Sequence, residues 1–92
     1  MADSVIRRTM GWELERFADL TGAFIFVRKP VATLIVDRFK LYLLEICDGQ
    51  TVAATAQRVS HIMPAVNIDQ CITLVNEQLR QLAAHDLISL EG

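Results

Sequence analysis

The hydrophobic period of this chain changes at Asp37, and that single switch limits its fold more than any other feature. Upstream, Trp12 and Leu14 alternate with Glu13 and Glu15, the two-residue period of a half-buried strand. Ala23-Phe24-Ile25-Phe26-Val27 and Val31-Ala32-Thr33-Leu34-Ile35-Val36 are aromatic and β-branched, as strands prefer. Asp19 to Gly22 supplies turn residues, and Arg28-Lys29-Pro30 a second tight connection. Two short connections in succession imply an antiparallel meander.

From Asp37 onward the period is helical. The Asp37 side chain suits a helix N-cap, and Phe39, Leu43 and Ile46 follow at helical spacing with Tyr42 beside them. Asp48-Gly49 stops this helix. Thr51 is the next cap, and Val52, Ala56, Val59 and Met63 form one stripe before Pro64. Asn67 or Asp69 opens a third helix that runs to about Ala84 or His85. Its main stripe is Ile68, Ile72, Val75, Leu79 and Leu82, and its wet face is Asp69, Gln70, Thr73, Glu77 and Arg80. Cys71, Leu74 and Gln78 widen the apolar face on one flank. Leu87 to Leu90 is a last turn or a small strand. The expected fold class is α+β: a three-stranded antiparallel sheet followed by three helices, in a winged-helix-like arrangement. Residues 1–10 are expected to be an irregular, flexible N-terminus, and 11–92 a single domain.

Composition narrows the function. A hydrophobic share of 52% is globular, and a net charge of −2 argues against a general polyanion binder. Cys47 and Cys71 read as buried thiols, and no apolar run suits a signal peptide or membrane span, so a cytoplasmic protein is expected. No C-x-x-C, H-x-x-x-H or glycine-rich phosphate loop occurs. His61 and His85 are single histidines on separate segments, and Glu13 and Glu15 read as a solvated strand face. Catalytic residues, metal ligands and cofactors are therefore not expected. A winged-helix nucleic-acid reader is the alternative, but its recognition helix should carry several cations, and the third helix has only Arg80.

What remains is an edge. Residues 31–36 contain neither the charge nor the proline that usually protects an exposed strand, although topology alone allows this strand to be central instead. An exposed edge would accept an extended peptide, or pair or swap with a second copy of the chain.

Certain stretches also carry a resemblance. Thr33-Leu34-Ile35-Val36-Asp37, Leu43-Leu44-Glu45-Ile46-Cys47-Asp48-Gly49-Gln50-Thr51-Val52, Leu79-Arg80-Gln81-Leu82 and Asp86-Leu87-Ile88 together resemble the PqqD-like family, the RiPP recognition elements. The likeness covers roughly residues 12–90. Val36-Asp37 stands where the family usually has Leu-Asn, and Asp86-Leu87 where it has Gly-Leu. Val27-Arg28-Lys29-Pro30 replaces the Tyr-Pro-Glu turn of relatives in pyrroloquinoline quinone synthesis, which points to another system such as lasso-peptide or radical-SAM maturation. The resemblance implies a non-catalytic chaperone for the leader segment of a ribosomally made precursor peptide. The leader adds as an antiparallel strand to the third strand, lies against the last helix, and is presented to a modifying enzyme or leader peptidase. Carried onto this chain, the peptide-binding residues are Val31, Ala32, Thr33, Leu34, Ile35 and Val36 on the strand and Cys71, Leu74, Val75 and Gln78 on the helix. Arg38, with Lys40, would attract an acidic leader. Neither a nucleic-acid nor a membrane partner is implied.

Overall fold

The computed structural model describes residues 3–28 and 31–91. It has an α+β fold with the element order β1 (Val5–Arg8), β2 (Trp12–Arg16), β3 (Gly22–Arg28), β4 (Val31–Asp37), α1 (Arg38–Ile46), α2 (Val52–Ile62), α3 (Ile68–Ala84) and β5 (Ile88–Glu91). Strands β2, β3 and β4 form the expected antiparallel meander, in that spatial order. Of the connection expected at Arg28-Lys29-Pro30, residues 29 and 30 lie outside the described residues. The likeness to winged-helix folds goes no further than three helices beside a small sheet.

Local chemistry sets the helix starts. Asp37 Oδ1 accepts from the Lys40 N–H at 2.8 Å, and Thr51 Oγ1 from the Ala54 N–H at 3.0 Å. Asn67 and Gln70 form a reciprocal capping box on α3. Between α1 and α2 the backbone turns at Gly49, whose φ of 76° suits glycine. Gly22 is required for another reason: a Cβ there would lie 2.2 Å from the Val36 carbonyl oxygen across the β3–β4 ladder. The end of α3 is a Schellman motif. Leu87 N–H donates to Leu82 O, Asp86 N–H donates to Ala83 O, and the buried Leu82 and Leu87 accompany these bonds. Asp86 occupies the left-handed position at φ 58°, which explains why glycine suits this turn.

Residues 3–10 differ from expectation. Val5–Arg8 is a strand paired antiparallel with β5, so the two ends of the chain form a second, two-stranded sheet. The other side of β1 is bonded to the α1–α2 turn: Ile6 N–H donates to Gln50 O at 2.8 Å, and Gly49 N–H to Ile6 O at 2.7 Å. Ile6 is fully buried. This segment has only two apolar residues and is held by β5 partners 80 to 86 residues away and by the α1–α2 turn, which local periodicity does not register.

A single core joins the layers. Ala23, Ile25 and Val36 project from the meander; Leu41, Leu43 and Leu44 from α1; Val52, Ala56 and Val59 from α2; and Cys71, Val75, Leu79 and Leu82 from α3. The α1 stripe is rotated from expectation: Leu41 and Leu44 are buried, while Phe39, Tyr42 and Ile46 are half-buried. On α3, Cys71 takes the core position expected of Ile68, which is exposed.

Candidate functional site

Among the described residues β4 pairs with β3 alone, so it is an edge strand. Hydrogen-bond parity then fixes which of its main-chain groups are outward. Arg28 N–H donates to Gly11 O, and Phe17 N–H to Gly22 O, so the even-numbered residues of β3 bond toward β2. The odd-numbered residues Ala23, Ile25 and Val27 therefore bond toward β4, where their register partners are Val36, Leu34 and Ala32. That leaves Val31, Thr33 and Ile35 with N–H and C=O groups directed away from the sheet.

The same alternation sorts the side chains. Ala32, Leu34 and Val36 face the core layer. Val31 and Ile35 face outward and are 89% and 68% exposed. Ile35 stands opposite Phe24, and Thr33 opposite Phe26, so an apolar platform lies on the solvent side of the edge.

On the core side a groove of about 370 Å³ runs beside the edge. Leu34, Ile35 and Val36 form one wall, and Gln81, Leu82, Ala84 and His85 from the end of α3 form the other, with Lys40 and Leu87 completing it. Lys40 Nζ lies 3.8 Å from Asp37 Oδ2, and its side chain is mostly covered. This ammonium is the cation of the groove.

The helix side of the site differs from the sequence expectation. Cys71 and Val75 are fully buried in the core and cannot meet a ligand. Leu74 is half-buried in a separate shallow concavity with Asn67, Gln70 and Thr73, which contains no β4 residue. Gln78 is half-buried; its Oε1 is enclosed without a hydrogen-bond partner among the described residues, and it does not line the groove. Arg38 is exposed and turned toward Leu20, whose carbonyl accepts from its Nε at 3.4 Å, so it also lies outside the groove. At ~100° per residue Leu74, Gln78, Gln81 and His85 share one helical flank. Of this flank, only the C-terminal end, Gln81 and His85, lies beside β4. Gln81, Ala84 and His85 are groove-lining positions that periodicity does not mark, because polar and small residues carry no apolar signal.

Elsewhere no group of three His, Cys, Asp or Glu side chains converges among the described residues. Cys47 is fully buried, and burial pushes its thiol up to about 11. Hydrogen bonds from the Thr21 hydroxyl and N–H lower the exposed Asp19 carboxyl, and they act within its own turn. Among the described residues no helix is long and apolar enough to cross a membrane.

No family model matches the chain, and no curated protein or solved structure shows significant similarity to it.

Proposed function

We propose that the protein is a non-catalytic adaptor that takes an extended peptide as an added strand on β4 and presents it to a modifying enzyme or peptidase. The observation that carries this reading is the row of outward main-chain groups on Val31, Thr33 and Ile35, on an uncharged edge strand flanked by a groove. Unsatisfied edge groups are a template for strand addition. An added strand would direct alternate side chains into the groove beside Leu82 and His85, and the others onto the platform of Val31 and Ile35. Main-chain pairing tolerates any sequence, so selectivity falls to these two sets of side-chain contacts. The resemblance to PqqD-like proteins supports a more specific reading, in which the peptide is the leader of a ribosomally made precursor. Lys40 in the groove favours a leader with an acidic residue near the Val36 end of the strand.

A random peptide library displayed on phage supplies the test. Selected peptides, made synthetically, should slow amide hydrogen exchange at Thr33 and Ile35. Leu34 already bonds to β3 and should change less. Protection confined to α2 and the exposed side of α3 would refute strand addition, and tight DNA binding with a steep salt dependence would favour the nucleic-acid alternative.

A further inference from the structure

We infer that β4 also receives β4 of a second copy of this chain, in one antiparallel register, and that this self-pairing competes with peptide for the edge. This rests on the open edge of β4 and gives it a second, defined occupant. A two-fold axis through Thr33 sets Thr33 opposite Thr33 of the other copy. Val31 of each copy then faces Ile35 of the other, and Ala32 faces Leu34. Val31, Thr33 and Ile35 are the residues whose main-chain groups point outward. All three pairs are therefore hydrogen-bonded pairs, each exchanging two bonds. Neither neighbouring register achieves this. With the axis at Leu34, the Asp37 carboxylate meets the aliphatic Val31, at the point where α1 begins. With the axis at Ala32, Ile35 finds no opposite residue within β4.

The side chains are self-complementary about the same point. Val31 and Ile35 are 89% and 68% exposed on the outer face, two residues either side of Thr33. In the pair each covers the other, twice, and threonine meets threonine at the centre. Both are favoured cross-strand combinations. On the core-facing side the small Ala32 meets the larger Leu34, again twice, in the pairs where side chains approach closest. No charge lies between Val31 and Val36. Arg28-Lys29 precede the strand and Asp37 ends it, so antiparallel pairing sets the acidic end of one copy toward the basic end of the other. Arg28 is already paired with Glu13 and Asp37 with Lys40, so this end attraction is small.

One short strand per copy makes a small interface, in the class of transient contacts. Lys40 decides the competition. It lies in the groove with Leu34, Ile35 and Val36, and a second β4 brings no carboxylate to that end. A peptide with an acidic residue near Val36 does, and should displace the second copy. Without peptide, self-pairing covers the exposed edge, and its two-fold symmetry closes the assembly at two chains.

Sedimentation equilibrium from about 10 μM to about 1 mM, the range of transient contacts, tests this. Wild type should form dimers, with amide exchange at Thr33 slowing as concentration rises. Val31→Lys with Ile35→Lys places like charges opposite each other at both ends and should weaken the dimer at least tenfold. Val31→Glu with Ile35→Lys places opposite charges there and should stay within a few-fold of wild type. All these substitutions sit on the exposed outer face, so both variants should keep the native circular dichroism. A peptide selected from the displayed library should convert wild-type dimers into one-to-one complexes. A wild-type chain that stays monomeric, a dimer indifferent to the double-lysine variant, a dimer abolished equally by both variants, or one that holds peptide without dissociating would overturn the inference. Strand addition would still stand wherever peptide slows exchange at Thr33 and Ile35 of the monomer. A dimer with the expected charge pattern, but for which no peptide is selected, would keep the self-pairing and overturn the adaptor.

Discussion

Thr33→Pro removes one outward N–H from β4 and leaves the β3 ladder untouched, because Thr33 bonds away from the sheet. Its fold cost is small for three reasons: the Thr33 side chain is exposed, Ala32 is already extended as a residue before proline must be, and proline is tolerated on edges. A loss below about 1 kcal/mol is expected, a shift in Tm of roughly 4–8 °C at most for a domain of this size. Its effect on binding is larger. One net hydrogen bond is lost, worth about 1 kcal/mol, and a peptide carbonyl is left facing the proline ring, costing a further ~1–2 kcal/mol. At 1.4 kcal/mol per decade, affinity should fall roughly 30- to 140-fold. Leu34→Pro is the matched control. It removes a donor used in the β3–β4 ladder and should cost about 3 kcal/mol or more, enough to unfold much of a small domain. Thermal melts by circular dichroism and fluorescence anisotropy with a labelled selected peptide give both readouts. A folded Thr33→Pro protein with unchanged affinity would refute binding at this edge. Equal unfolding of the two variants would refute the parity assignment itself.

Three other outcomes follow from the same geometry. Lys40→Glu reverses the charge in the groove and should weaken an acidic peptide by roughly 1–2 kcal/mol, with a shallower salt dependence by calorimetry, while its main-chain N–H still caps α1 through Asp37. Asp86→Gly relieves a left-handed non-glycine residue and should raise the unfolding free energy by about 0.5–1 kcal/mol in urea melts; a lower value would contradict the Schellman assignment. Burial raises the Cys47 thiol from 9.0 to about 11, so its stabilising contribution is complete below pH 9 and is lost as pH rises toward 11. Cys47→Ala should flatten that alkaline decline, and native Cys47 should resist iodoacetamide at pH 8.

Much of the fold was legible because its determinants are local. Asp37, Thr51 and Asn67 each cap the helix expected of them. The meander follows from short connections and two-residue alternation. Features set by distant partners were not legible. Val5–Arg8 becomes a strand only because Ile88–Glu91 and the α1–α2 turn reach it. The choice of Cys71 over Ile68 for the core is a rotation of α3 by a fraction of a turn, decided by what it packs against.

The candidate site divides along the same line. Its strand half was readable because a missing charge is visible in a sequence, and Val31–Val36 has none. Its helix half was placed too near the start of α3, because Leu74 and Cys71 advertise an apolar flank while Gln81, Ala84 and His85 do not. Yet a binding wall beside an open strand edge has reason to be inconspicuous. Large apolar residues there would pack onto β4 themselves and close the groove. Small and polar residues keep it open and leave the burial of apolar surface to the incoming chain. Ala84 fits this logic on the helix side. The side chains that keep the site open are therefore those with the weakest sequence signal, and register, more than hydropathy, is what identifies them.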